Sequence, residues 1–158
     1  NISRLDVKSA RTKTLGTSAV MDWIVTPEPH APTITEAGLR QLIAEALKDS
    51  ADVEEKLIAR AKAYASIPTI PVPDPEVEIF TDAATDATVI EVRSHDRPGL
   101  LFRIGAAITQ SKIDIRSAIV TTLGAEAIDT LYVTELTGGP LTPERANEVA
   151  SHLKQALK

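Results

Sequence analysis

The stretch best equipped for chemistry is Val92-Arg93-Ser94-His95-Asp96-Arg97-Pro98-Gly99-Leu100-Leu101. The β-branched run before it, Thr88 to Ser94, reads as a strand, and the apolar spacing after it reads as a helix from about Pro98 to Ser111. A strand end therefore feeds a helix start. Pro98 presets a helical dihedral angle at the first helical position, and Gly99, lacking a Cβ, lets a ligand approach the backbone. The first turn of a helix carries N–H groups with no partner inside the helix. With the helix dipole behind them they can hold a carboxylate. Asp96 can cap the helix or accept an ammonium group. A free amino acid carries both charges and suits this pattern; a plain capped helix start is the alternative reading.

Composition narrows the other classes. A net charge of −5 and a pI near 5.2 argue against nucleic acid, which wants clustered Lys and Arg. The basic residues between Arg4 and Lys13 alternate with others and read as the solvated face of a strand. No apolar run of membrane-spanning length occurs, so no membrane partner is expected. Without cysteine there is no disulfide and no thiolate metal site, which fits a cytoplasmic protein. The start, Asn1-Ile2-Ser3, reads as the cut edge of something longer. Aromatics make up 3% of a chain that is 43% hydrophobic, so the core must be aliphatic.

What positions the motif is a duplicated unit. Leu5 to Gly16 repeats as Ile113 to Gly124 at an offset of 108. Asp6/Asp114, Ser9/Ser117, Ala10/Ala118, Thr14/Thr122, Leu15/Leu123 and Gly16/Gly124 are identical pairs. Each copy reaches Leu-Gly and then a second strand, Ala19 to Val25 or Ala127 to Leu136, so both predict a hairpin. A helix follows each. Thr33-x-x-Glu36 forms a capping box before Leu39, Leu42, Ile43, Ala46 and Leu47; Thr142 and Pro143 open the other helix. Upstream, only the second copy has a strand and a helix, the latter with Leu101, Ile104, Gly105 and Ile108 on its buried face. The first copy is truncated.

The expected organisation is a partial first unit with an extra helix (about Asp52 to Ser66) in residues 1–67, a proline-rich linker in 68–75 and a second unit in 76–158. The second unit reads βαββα and lacks the fourth strand of a ferredoxin-like arrangement. Glu76–Phe80 can take that place through a hairpin into Thr88–Ser94. The fold class is thus α+β: an antiparallel-rich sheet with helices on one face.

Asp96-Arg97-Pro98-Gly99-Leu100-Leu101, then Asp114-Ile115-Arg116-Ser117-Ala118 and Thr122-Leu123-Gly124-Ala125-Glu126, resembles the ACT domain, a regulatory unit that binds amino acids. Leu5 to Leu157 as a whole is similar to the tandem ACT region of the uridylyltransferase/uridylyl-removing enzymes that modify the PII signalling protein. The resemblance implies that glutamine or another small amino acid is the ligand, with PII protein a partner of the parent enzyme and Mg its cofactor. It implies a ligand site of Asp96, Arg97, Pro98, Gly99, Leu100 and Leu101, closed by Ile115, Arg116 and Ser117. No catalytic or metal residue is expected here. The nucleotidyltransferase signature, Gly-Ser followed by close aspartates, does not occur. His95-Asp96 imitates the His-Asp pair of a phosphohydrolase, but the other histidines, His30 and His152, do not complete a metal site. A regulatory or dimerising ACT domain of another amino-acid enzyme is the alternative. Truncation leaves an uncovered sheet edge, so a homodimer is expected.

Overall fold

The computed structural model describes residues 4–31, 33–48, 53, 55–59, 62, 73–81 and 83–158. Their elements are β1 (Leu5–Leu15), β2 (Ser18–Pro27), α1 (Glu36–Ala46), β3 (Glu76–Phe80), β4 (Thr88–His95), α2 (Leu100–Gln110), β5 (Ile113–Leu123), β6 (Glu126–Glu135) and α3 (Pro143–Ala156). Residues 55–59 are also helical. The remainder of the helix expected over Asp52–Ser66, and most of the linker, lie outside the described residues. By compactness the chain divides into two units. One takes the described residues of Asn1–Asp6, Val25–Pro71 and Arg97–Gly99; the other those of Val7–Ile24, Val72–Asp96 and Leu100–Lys158.

The larger unit is built on a six-stranded sheet of order β2-β1-β5-β6-β4-β3. β3 pairs antiparallel with β4, from Glu76↔Arg93 to Phe80↔Val89, so the strand before the repeat fills the fourth-strand position, as the hairpin reading required. Gly16 (φ +61°) and Gly124 (φ +65°) open the two repeated hairpin loops, in the left-handed region that tight hairpin turns demand.

The repeated strands β1 and β5 pair with each other, antiparallel, from Ser9↔Thr121 to Lys13↔Ser117. At the centre, Arg11 faces Ile119, its own repeat equivalent. Residue and partner therefore exchange roles on either side, which is the signature of two-fold symmetry. Side chains obey the same symmetry. Thr14 Oγ1 donates to the Ile115 carbonyl at 3.2 Å, and its equivalent Thr122 Oγ1 donates to the carbonyl of Val7, the equivalent of Ile115, at 3.0 Å. One chain thus builds internally the edge-to-edge contact that a symmetric pair would make.

The core lies on the helix-covered face. Ile90 and Val92 of β4, Ala118 of β5 and Leu131 and Val133 of β6 meet Leu100, Ile104, Ala107 and Ile108 of α2 and Ala146, Val149 and Leu153 of α3. Each large aliphatic side chain buried there contributes roughly 1.5–3 kcal/mol. The buried stripe of α2 differs from the expected one: Leu100 takes the inward place assigned to Leu101, and Ala107 the place assigned to Gly105. Thr142 caps α3 as expected, its side chain accepting from the Arg145 N–H at 3.3 Å. Thr88 Oγ1, buried, accepts the Leu141 N–H at 2.8 Å and ties the loop before α3 to the sheet.

In the smaller unit the Glu28 N–H donates to the Arg4 carbonyl at 2.9 Å. α1 begins at Glu36, so its N-cap is Thr35, accepting from the Gly38 N–H at 3.1 Å, and not Thr33. No residue of α1 is fully buried, and Ile43 and Leu47 of its apolar stripe are exposed.

Candidate functional site

Each residue of the expected site has a definite place. Asp96 follows β4 directly, exposed, and its N–H donates to the Ala125 carbonyl at 2.8 Å, binding the strand end to the β5–β6 turn. Arg97, Pro98 and Gly99 form a half-buried turn of the smaller unit. Gly99 has φ +84°. That left-handed angle cannot belong to a right-handed helix, so α2 starts only at Leu100, and Pro98 stands in the turn instead of at the first helical position. A Cβ on Gly99 would lie 3.9 Å from Leu57, an ordinary contact, so the angle and not the space reserves the position for glycine. Gly99, next to the first helical residue, has no side-chain oxygen to offer the first-turn N–H groups. Leu100 is buried and Leu101 half-buried.

Ile115, Arg116 and Ser117 are not brought to this end of the sheet. Across the strands, His95 lines up with Glu126 and Leu123, whereas Ile115 lines up with Val133 and Thr88. Thr88 and His95 are seven steps apart along β4, on the order of 20 Å at about 3.3 Å per residue. The three residues have other tasks. A β-bulge falls between Ile115 and Ser117, and the extra residue Arg116 reaches Asp86, Nη1 to Oδ2 2.6 Å. Ser117 Oγ donates to the Thr12 carbonyl at 2.9 Å and clips β1 to β5. Ile115 packs against the core.

A buried acid, Asp129 of β6, lies three register steps in from the end of β4. Its register partners are Val92 and Val120, so its side chain is on the helix-covered face. It is 0% exposed, and neither carboxylate oxygen has a hydrogen-bond partner. Burial, with the nearby charge of Asp96 adding to it, pushes its pKa up to about 7.

The ACT domain family matches residues 88–153. This segment is an ACT domain. Over nearly its whole length the chain is similar to a region of bifunctional uridylyltransferase/uridylyl-removing enzymes. It is 36% identical to that of Streptomyces coelicolor over 162 residues, covering 98% of the chain and 19% of the relative. To that of Erythrobacter litoralis it is 35% identical over 130 residues, covering 82% and 14%. To that of Novosphingobium aromaticivorans it is 31% identical over 158 residues, covering 97% and 17%. The chain thus spans less than a fifth of the length of these relatives.

Within the ACT domain the histidines do not converge. His95 is exposed at the end of β4, and His152 Nδ1 is 2.9 Å from Ser111 Oγ, a link between α3 and the end of α2. Arg145 Nη2 donates to the Ser111 carbonyl and closes the same corner. Among the described residues no group of three or more His, Cys, Asp or Glu is placed to hold a metal ion, and no helix is long and apolar enough to cross a membrane. Asp129 was the residue that sequence reasoning passed over. Its signal is an acid at an inward position of the alternation Ala127-x-Asp129-x-Leu131-x-Val133, where the first copy carries Met21.

Proposed function

We propose that this chain is a regulatory, amino-acid-sensing ACT region, with glutamine as the ligand, serving a uridylyltransferase/uridylyl-removing enzyme that acts on the PII protein in the cytoplasm. The supporting observation is the glycine turn leading into α2 in a segment matched by the ACT domain family. The relatives' names supply the enzyme class. Catalysis, with its Mg, belongs to other parts of such an enzyme, and this region would act only through a difference in glutamine affinity between two states.

Calorimetric titration with L-glutamine is expected to show saturable binding, and Gly99→Val to abolish it. A β-branched residue at φ +84° strains the turn by roughly 1–2 kcal/mol and shifts the backbone that the ligand's carboxylate would meet. Glutamine binding equal in the two proteins would reduce the turn to a helix start.

The same reading includes self-association. β2 is an edge strand, and its Val20, Met21, Trp23 and Ile24 are all about half exposed or more. Uncovered apolar edges invite pairing with a second copy. Light scattering at high concentration is expected to give a dimer mass; a strictly monomeric mass would count against it.

A further inference from the structure

Asp129 is a buried acid whose carboxylate the fold leaves without a hydrogen-bond partner. Ala127 and Leu131 flank it along β6 on its own face, and Val92 and Val120 flank it across the sheet, all of them buried. The equivalent position in the first copy is Met21, exposed on the edge strand, so the repeat itself does not specify an acid there. An inward carboxylate with both oxygens unpartnered is a costly exception. Resting on the amino-acid-sensing reading above, we propose that Asp129 is the counter-charge for the ammonium group of the amino acid bound at the start of α2.

The charges around it favour that occupant. Glu91, Arg93 and His95 of β4 alternate with Val92 and so belong to the opposite face of the sheet. Asp114 and Arg116 lie at the far end of β5. Arg103 of α2 is half-buried, and Arg145 and His152 of α3 are occupied with Ser111 at the other end of α2. The charge that acts on Asp129 is that of Asp96, exposed at the strand end. The two unpartnered oxygens of Asp129 offer acceptors to an ammonium group with three donors. They are too few to hold a divalent cation, and no group of three metal ligands includes them among the described residues. The ligand's carboxylate is then left to the first-turn N–H groups of α2, beginning with Leu100 and Leu101.

The test uses the whole chain and two probes, L-glutamine and its desamino analogue 4-carbamoylbutanoate, which lacks the ammonium group. The wild-type chain is expected to bind glutamine at least tenfold more tightly than the analogue. It should release up to one proton on binding near pH 7, seen as a dependence of the heat on buffer ionisation enthalpy. Asp129→Asn is expected to lose at least tenfold in glutamine affinity, to bind the analogue as before and to release no proton. Asp129→Met, which copies the first repeat, should give the same losses. If either substitution unfolds the chain, the analogue preference and the proton release of the wild type decide alone. Equal glutamine affinity in the wild type and a folded Asp129→Asn overturns the inference and leaves the sensing function standing. Glutamine failing to bind the wild type overturns both.

Discussion

Leu153→Ala is expected to lower the stability of the sheet-bearing unit by about 2–5 kcal/mol. Leu153 is 0% exposed, on the face of α3 that packs with Val149 and Ala146 against α2 and the sheet. Removing three carbons there forfeits the transfer free energy of the lost atoms and leaves a cavity that a sheet cannot collapse to fill. The capped start of α3 holds the helix in register, so the cavity stays where it is made. At about 2–4 °C per kcal/mol for a chain of this size, the melting temperature should fall by roughly 5–15 °C. Leu47→Ala, just beyond α1 and 84% exposed, is the control, and its effect should stay within about 0.5 kcal/mol. Urea unfolding of both variants provides the measurement. A Leu153→Ala loss below about 1 kcal/mol would mean that α3 is not part of the cooperative core.

Much of this core was legible because alternation and helical spacing are local. The paired Leu-Gly turns announced both hairpins, and Glu76–Phe80 could reach the fourth-strand place by a simple hairpin. The helix begins two residues beyond Pro98, where the sequence places its start, because the left-handed φ of Gly99 belongs to the turn before α2. The pairing of β1 with β5 joins segments about a hundred residues apart. Periodicity does not encode such a contact, although the duplication contains it: two like edges meeting antiparallel give the self-matching register centred on Arg11 and Ile119.

The elements that carry the expected site residues were legible in part, for a related reason. The turn from Asp96 into Leu101 could be located because a strand end, a glycine and a helix start leave local marks. The facing strand could not be located in the same way. β5 begins where α2 ends, so its first residues, Ile115 to Ser117 among them, lie at the end of the sheet away from Asp96. The bulge at Arg116 also reverses which residues face inward, from Ile113 before it to Ala118 and Val120 after it. Family motifs are contiguous in sequence, whereas register across a sheet decides which residues share a level. Asp129 shows the converse: it lies within no motif, and only its inward position makes it conspicuous.

The pH dependence of stability should be dominated, between about pH 5 and 8, by that same carboxylate. Burial raises its pKa from 3.8 to about 7, so the folded chain holds a proton there that the unfolded chain releases near pH 4. Folded chains that bind more protons than unfolded ones lose stability as pH rises. Below pH 4 both states are protonated and the group contributes no slope. Through the window from 4 to 7 stability falls, and above 7 the full penalty is present. At about 1.4 kcal/mol per unit the total is on the order of 4 kcal/mol, of which roughly 2–3 kcal/mol accrues between pH 5 and 8. Asp129→Asn cannot titrate. Whatever its buried amide costs in hydrogen bonding is the same at every pH, so the slope and not the offset is the decisive quantity. Urea unfolding at pH 5, 6.5 and 8 should therefore show the variant gaining on the wild type by about 2–3 kcal/mol across the series. Parallel curves would mean that Asp129 is solvated or paired in solution, and that its carboxylate carries no latent charge for a ligand to answer.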